Sequence, residues 1–186
     1  MSLLIGRFGN EKESFRKLTA FVKNPSQFFS KNKETDETLI DFTSFLIRLG
    51  ALIRFLLDIG LQRETFLSSI LYLAFALVFA PVGASIGLWL FSLIINFFAK
   101  LFSNNDNRQA AKRIVAYAST ITIFLSQFSF IEKIVSVILL IILVIIITIG
   151  VSKQYKLSVL RSFIIAMAPI IAVYLLSSLV SILAKL

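Results

Sequence analysis

Residues 65–99 read TFLSSILYLAFALVFAPVGASIGLWLFSLIINFFA, a run of 35 residues without Asp, Glu, Lys or Arg. As one helix this run is about 53 Å long, whereas the hydrocarbon core of a bilayer is about 30 Å thick. The run therefore crosses a membrane once as a long tilted or kinked helix, or twice as a hairpin. Pro81, flanked by Gly83 and Gly87, is where a kink or a turn is expected.

Three further stretches also lack charged residues, namely 114–131, 134–152 and 162–184. Each has at least 18 residues, which is enough to span a membrane as a helix. Backbone polar groups inside lipid must be satisfied within their own segment, so such stretches become helices. The whole chain is 58% apolar and 16% charged, while soluble domains are about a quarter charged. The sequence predicts an all-α, polytopic membrane helix bundle.

The lysine and arginine positions indicate how many helices cross, because cytoplasmic loops are enriched in these residues. Segment 41–59 is a less apolar candidate span. If it and 65–99 each cross once, fourteen basic residues face one side and three the other. A hairpin at Pro81 gives nine against eight, and a first segment that stays outside gives twelve against seven. The fourteen are Arg7, Lys12, Arg16, Lys17, Lys23, Lys31, Lys33, Lys100, Arg108, Lys112, Arg113, Lys153, Lys156 and Arg161; the three are Arg63, Lys133 and Lys185.

This distribution predicts five transmembrane helices in the cytoplasmic membrane, with the N-terminus in the cytoplasm and the C-terminus outside. Residues 1–37 form a short cytoplasmic, amphipathic N-terminal segment, and 38–186 form the membrane domain. The predicted spans are about 41–59, 65–100, 112–131, 133–151 and 160–184.

The N-terminal segment has apolar residues at helical spacing. Phe15, Leu18 and Val22 share one face, Phe21 lies beside it, and Pro25 is expected to separate two short helices. This pattern favours a helix lying among anionic lipid headgroups, and the alternative is a helix that packs on the protein's own cytoplasmic loops. The predicted surface for lipid headgroups or protein partners comprises Phe15, Lys17, Phe21, Pro25, Phe28, Phe29, Lys100, Arg108, Lys112 and Arg113.

A few polar residues lie inside the predicted spans. Arg48 falls near the middle of span one, where an arginine costs about 2.5–3.5 kcal/mol on insertion scales. It is interpreted as a structural residue that caps neighbouring helices, with a pocket for a headgroup, ion or partner as the alternative. Arg54 and Asp58, four residues apart, are predicted to pair. The candidate intramembrane polar site comprises Arg48, Asn96, Tyr117, Ser119 and Thr120.

Several classes of function find no support in the sequence. There is no Cys and no His, and neither paired carboxylates nor a phosphate-binding glycine loop is apparent. No catalytic residue, cofactor or metal is therefore predicted, and the protein is not expected to be an enzyme. The net charge of +9 is assigned to membrane topology and lipid headgroups rather than to nucleic acid.

Three motifs resemble those of the Yip family of Ypt-interacting, five-span membrane proteins. Residues 24–29, NPSQFF, are similar to the family's short signature before span one. Residues 113–119, RIVAYAS, resemble its basic residue and Tyr-Ala-Ser entry into span three. The sequence YKLS at 155–158, followed by Arg161 and by Pro169, is similar to its closing pattern. The resemblance extends from about Asn24 to the last span.

The resemblance implies a non-enzymatic protein that recruits or organises protein partners or lipids at the cytoplasmic membrane face. Contact with small GTPases is implied by the resemblance alone, and the N-terminal region of about 40 residues is typical of a bacterial or archaeal branch. The chain departs from the family in its polar turn at 103–107 and in Thr120–Ile121, where proline is common. The alternative function is a small transporter or channel subunit, or a lipid-handling protein, with a polar pocket around Arg48. The oligomeric state, a homo-oligomer included, stays open.

Overall fold

The computed structural model describes residues 11–31, 34–61, 65–126 and 133–183. Over these ranges the chain forms seven helices and no strand, which confirms the predicted all-α fold. The helices are α1 (Glu11–Lys23), α2 (Pro25–Lys31), α3 (Asp36–Gly60), α4 (Phe66–Ser103), α5 (Arg108–Ser126), α6 (Lys133–Tyr155) and α7 (Val159–Leu183). The predicted end of span three at 127–131 and the residues 184–186 lie outside the described ranges.

Helix α4 runs without interruption through the uncharged stretch, so the single-helix alternative is correct and the hairpin is excluded. Its 38 residues span about 57 Å. Thr65 caps its start by accepting a hydrogen bond from a first-turn N–H at 3.4 Å. Asn104 ends the helix in the left-handed conformation, with φ of 51°. Pro81 lies inside the helix, where the Ser85 hydroxyl donates to its carbonyl at 2.7 Å.

One face of α4 carries small residues, which let it pack closely against α3, α5 and α7. Buried residues recur there every three or four positions, as Ala76, Ala80, Ala84, Leu88, Ser92, Ile95 and Ala99. Apart from Leu88 and Ile95, the large side chains lie mostly elsewhere around the helix, where many are exposed, among them Phe75, Trp89 and Leu101. A helix of a water-soluble protein would turn its large apolar side chains inward. The arrangement of α4 instead suits contact with lipid.

Among the residues that the structure describes, two helices are long and apolar enough to cross a membrane, namely α4 and the part of α6 from Val137 to Tyr155. Large apolar side chains are also exposed along α3, α6 and α7, and such a surface is unfavourable in water. The predicted pairing of Arg54 with Asp58 in α3 is confirmed, at 3.4 Å between Nε and Oδ2. The count of five spans and the division at residue 38 remain predictions.

Segments that are far apart in the sequence meet at one end of the bundle. The Tyr155 hydroxyl, at the end of α6, lies 2.7 Å from the carbonyl oxygen of Asn107, just before α5. The neighbouring Gln154 donates from Nε2 to the Phe29 carbonyl of α2. We call this set of segments the platform; it comprises α1, α2 and the connections 104–107 and 156–158. The N-terminal helices and these two connections share one side of the membrane if each of α3 to α6 crosses it once.

Helices α1 and α2 pack on the protein's own bundle. Phe21, Phe28 and Phe29 are buried, which corrects the expectation that they form an exposed surface. The physical reason is the break between α1 and α2, after which aromatic rings from both helices reach the same buried cluster on α3, α5 and α6. Phe15 and Val22 are exposed on the outer side of α1, so contact of that side with lipid stays a prediction.

Gly150 allows α2 to approach α6 closely. A Cβ atom at this position would lie 2.9 Å from Cγ1 of Ile114 and 3.2 Å from Cζ of Phe29. Both neighbouring side chains are fully buried, so neither can move aside freely. The absence of a side chain at Gly150 thus sets the distance between α2, α5 and α6.

We expect Gly150→Ala to lower the thermal unfolding temperature of the protein in detergent. Alanine normally stabilises a helix interior by about 0.5–1 kcal/mol relative to glycine, but overpacking a core costs about 1–3 kcal/mol. The matched control is Gly83→Ala, since a Cβ atom there meets nothing within 4 Å and should leave the temperature unchanged or raise it. Equal shifts in the two variants would contradict this explanation.

Candidate functional site

The platform is attached to the bundle by a buried carboxylate, that of Glu34, two residues before α3 begins. Its Oε1 atom accepts a hydrogen bond from the Tyr117 hydroxyl at 2.6 Å and lies 3.3 Å from Nζ of Lys17. Its Oε2 atom lies 3.4 Å from Nε of Arg113. One carboxylate therefore joins α1, the start of α3 and α5.

The charges in this cluster are largely removed from solvent. The side chain of Glu34 is 8% exposed and that of Arg113 is 5% exposed, while Lys17 reaches 18%. Buried charges are tolerated when they are paired, and here two cations face one carboxylate, with Glu13 also 3.2 Å from Lys17. Gln109 donates from Nε2 to the Glu34 backbone carbonyl at 2.6 Å, which holds this short connection against α5.

An aromatic cluster surrounds the Tyr117 ring below the carboxylate. Phe21 and Phe28 lie 5.3 Å and 4.5 Å from it, measured between ring centroids. Phe29 and Phe42 lie 6.2 Å and 4.6 Å away. Aromatic pairs at these distances add about 0.5–1.5 kcal/mol each beyond the burial of their area. The rings keep water away from the Glu34 cluster and thereby strengthen its electrostatic contacts.

A second polar cluster closes the connection between α4 and α5. Asn96 donates from Nδ2 to Oδ1 of Asp106 at 2.8 Å and accepts from the Asn107 N–H at 3.1 Å. The Tyr155 hydroxyl lies 2.9 Å from Oδ1 of Asn96, and Nζ of Lys100 lies 3.0 Å from Oδ2 of Asp106. The hydrogen bond from Asn96 and the Lys100 ammonium hold the pKa of Asp106 below its ordinary value of 3.8. This cluster ties the 104–107 connection to α4 and α6.

The five predicted intramembrane polar residues do not form one site. Tyr117 belongs to the Glu34 cluster and Asn96 to the second cluster. The Ser119 hydroxyl donates to the Ala116 carbonyl at 2.7 Å, and Thr120 is buried on α5. Arg48, on α3, is partly buried and is engaged in an interaction of its own, so it is not a free cation. These residues therefore have separate partners, and a functional role for them remains a prediction.

The residues of the predicted surface for lipid headgroups or protein partners also occupy different environments. Arg113 is buried and Lys112 pairs with Asp36, while Lys100 and Arg108 are exposed. Lys17 is part of the Glu34 cluster and Pro25 begins α2 as a partly buried residue. The exposed cations at the platform end, within the described ranges, are Lys12, Arg16, Lys23, Lys100, Arg108, Lys153, Lys156 and Arg161. Exposed carboxylates there, in the same ranges, are Glu13, Asp36, Glu37 and Asp106.

A polar cleft of about 570 Å³ lies beside the Glu34 cluster, between α1 and the start of α3. Arg16 and Lys17 line it on one side, and Glu34 and Thr38 on the other. The described residues hold no group of three or more His, Cys, Asp or Glu side chains arranged to bind a metal. The contacts observed around Glu34 are charge pairs that connect α1 with α5.

Sequence reasoning did not single out Glu34, Tyr155 or Gln154. Glu34 lies in the mixed polar run KNKETDE at 31–37, where nothing distinguishes it from the carboxylates beside it. Tyr155 was named only as part of the YKLS motif. Its position just after the uncharged stretch 134–152 is the one feature of the sequence that could have suggested a polar contact at the end of a helix. Their partners are 83 and 48 residues away in the chain, at Tyr117 and Asn107, so only the folded bundle shows them.

A bundle of helices with exposed apolar faces and a charged platform at one end defines a helical membrane protein. Its sequence matches the Yip1 domain over residues 19–181, which is most of the chain, and the protein belongs to this family. The resemblance carried by the three sequence motifs is thereby confirmed. Neither curated proteins nor solved structures yield a match to the chain.

We expect Glu34→Gln to loosen α1 and α2 from the bundle, because the buried Arg113 would lose its counter-charge. Breaking a buried ion pair by removing one partner costs about 3–5 kcal/mol. Limited proteolysis and hydrogen exchange of α1 and α2 measure the effect. The matched control is Glu37→Gln, an exposed carboxylate in the first turn of α3, which should leave exchange unchanged. Unaltered protection in the Glu34 variant would refute the attachment role.

The lowered pKa of Asp106 predicts acid sensitivity of the 104–107 connection. Since the folded-state pKa lies below the unfolded one, the stabilisation is present above the ordinary value of 3.8 and is lost as the pH falls through the folded-state pKa. Asp106→Asn should therefore flatten the dependence of unfolding temperature on pH in this acidic window. The check is a pH series of thermal unfolding in detergent, and a variant whose profile matches the wild type would count against the prediction.

Proposed function

We propose that this Yip-type membrane protein acts without catalysis, by holding anionic lipid headgroups or protein partners at the cytoplasmic face of the membrane through its platform. The proposal includes the orientation predicted from the basic residues, with the platform in the cytoplasm, the C-terminus outside and the cytoplasmic membrane as the location.

The observation that carries the proposal is the buried Glu34 cluster. It joins Lys17 of α1 to Arg113 and Tyr117 of α5, so the platform has a defined position before any partner arrives. A surface that is already ordered loses little conformational freedom on binding, which favours affinity. The buried aromatic cluster also holds α1 and α2 in this position, because their phenylalanine rings pack in the core of the bundle.

The charge of the outer surface supports an anionic partner. Exposed cations on α1, at the start of α5 and around the 156–158 connection outnumber the exposed carboxylates within the described ranges. Each Lys or Arg near an anionic membrane surface contributes about 1 kcal/mol. Phe15 and Val22, exposed on α1 among these cations, would add apolar contact with lipid. Contact with a small GTPase rests on family resemblance and is the protein-partner form of the proposal.

The alternative of a transporter or channel around Arg48 finds less support. The interhelical cavity formed by the described residues is lined almost entirely by apolar side chains, and Arg48 does not contribute to its lining. Solute pathways through membranes are normally lined by convergent polar or charged groups. The polar groups of the described bundle cluster at the platform instead, where they join helices to one another.

The proposal is tested by reversing three exposed platform cations together, in Arg16→Glu/Lys23→Glu/Arg108→Glu. The protein is reconstituted in nanodiscs of neutral lipid, and its binding to vesicles containing phosphatidylserine is measured by co-flotation. We expect binding to weaken at least about 100-fold, because three contributions of about 1 kcal/mol are lost, and wild-type binding to fall with added salt.

The matched control is Lys133→Glu, at the start of α6, which lies at the end of that helix away from the platform. It makes a charge change of the same kind and should leave vesicle binding intact. Equal binding by the triple variant and the wild type, or an equal loss in Lys133→Glu, would overturn the lipid form of the proposal. A pull-down from detergent with the same variants tests protein partners: the triple variant should lose them and Lys133→Glu should keep them.

A further inference from the structure

Trp89, on α4, is the one tryptophan of the chain, and an arginine lies over its ring. The Cζ atom of Arg108, at the start of α5, is 5.8 Å from the centroid of the indole. A guanidinium within about 6 Å of an aromatic ring is attracted by the negative face of that ring. The packing of α5 against α4 after the short 104–107 connection brings the two residues together.

Both members of this pair lie on the outer surface of the bundle. The Trp89 side chain is 53% exposed, and Arg108 is exposed as well. Val82, Ile86 and Leu93 follow the same face of α4 at helical spacing, and they are exposed too. The cation therefore lies at one end of an apolar stripe on the outside of the bundle, which is the surface that faces lipid in a membrane.

The positive charge of Arg108 is not compensated by a contact within the described ranges. Asp106, two residues earlier in the chain, is already bonded to Asn96 at 2.8 Å and to Lys100 at 3.0 Å. Among the described residues, no carboxylate forms an ion pair with Arg108. A guanidinium has five N–H donors in a planar fork that matches two oxygens of a phosphate, so Arg108 is suited to bind one.

The position of Trp89 along α4 places the pair near the edge of the hydrocarbon region. Asn96, whose side chain bonds the 104–107 connection of the platform, is seven residues after Trp89, which is about 10 Å along the helix axis. The headgroup and interfacial region is about 5–8 Å deep on each side of a bilayer, and tryptophan is enriched there. The Arg108 side chain extends from the platform end toward the ring, so its charge lies at the level of lipid headgroups.

We propose that Arg108 and Trp89 bind one anionic phospholipid of the leaflet on the platform side. The lipid phosphate binds the Arg108 guanidinium, and an acyl chain lies along the indole and the apolar stripe below it. The attraction to the ring holds the guanidinium at the membrane surface, so less freedom is lost when the phosphate binds. This inference deepens the proposed function and rests on it for the role of anionic lipid at the platform.

A second copy of the chain and a soluble phosphate ester are the other occupants to be compared with a lipid. A second copy would cover the Trp89 ring and exclude lipid from it. A soluble phosphate ester would bind Arg108 without placing hydrocarbon against the indole. An uncompensated cation next to an exposed apolar stripe favours a ligand that carries both an anionic group and a hydrocarbon chain, and the experiment below separates the three.

The fluorescence of Trp89 reports on its own neighbours, because brominated acyl chains quench an indole that they touch and the chain has no other tryptophan. The whole protein is reconstituted in bilayers of equal parts phosphatidylglycerol and phosphatidylcholine, with bromine on one lipid or on the other. We expect phosphatidylglycerol to occupy the position beside the ring about five times as often as phosphatidylcholine at low salt, since one arginine near an anionic surface contributes about 1 kcal/mol. Arg108→Gln should make the two lipids quench equally.

Two further variants show whether the charge at this position is responsible. Arg108→Lys retains the charge and should keep most of the preference for phosphatidylglycerol. The matched control is Arg16→Gln, which removes an exposed arginine of α1 that lines the polar cleft beside Glu34, and it should leave the preference unchanged. Circular dichroism and thermal unfolding verify that each variant is folded.

This measurement concerns lipid of the protein's own bilayer, whereas the vesicle co-flotation concerns a second membrane. Equal quenching by the two lipids in wild type, with salt-dependent vesicle binding intact, would remove the Arg108 site and leave the proposed function standing. Loss of vesicle binding with the fivefold preference intact would do the reverse.

Three results would overturn the proposed lipid site. The first is a wild type without a preference, or a preference that persists in Arg108→Gln. The second is a Trp89 ring that neither brominated lipid quenches, which would assign this surface to a second copy. The third is a preference that disappears when excess glycerol phosphate is added at constant ionic strength, which would assign Arg108 to a soluble phosphate ester.

Discussion

The buried carboxylate of Glu34 is the interaction on which the arrangement of the platform depends. It pairs with the buried Arg113 and accepts a hydrogen bond from the Tyr117 hydroxyl. It also forms an ion pair with Lys17, which lies on α1. Each of these charges would be costly to bury alone, and the opposite charge beside it offsets part of that cost. Because the partners come from α1, α5 and the start of α3, their pairing determines how the N-terminal helices sit on the bundle.

The aromatic cluster and Gly150 also help to position the N-terminal helices on the bundle, through packing rather than through charge. Phe28 and Phe42 contact the Tyr117 ring from two different helices, and the bare surface at Gly150 admits Phe29 to within contact of α6. Glycine thus serves opposite purposes in this protein. At Gly150 it allows helices to touch, and at Gly83 and Gly87 it leaves a space that the bundle does not fill.

Much of the fold was predictable from particular segments. The uncharged run at 65–99 predicted a membrane helix, and the break at Pro25, the polar turn at 103–107 and the pairing of Arg54 with Asp58 followed from local rules. The site was less predictable. Amphipathic spacing placed Phe21 beside an apolar face but could not tell contact with lipid from contact with the protein itself, since both surfaces accept an aromatic ring.

The sequence by itself determined that the chain is helical, that it belongs in a membrane and which family it resembles, because those properties depend on residues close together in the chain. Only the tertiary structure decided that 65–99 is one helix, that Tyr117 and Asn96 belong to separate clusters, and that Glu34 joins Tyr117 of α5 to Lys17 of α1. The physical reason is that the role of a polar side chain in a membrane protein depends on the group with which it forms a hydrogen bond or an ion pair. Here that partner is distant in sequence and becomes a neighbour only when the helices pack.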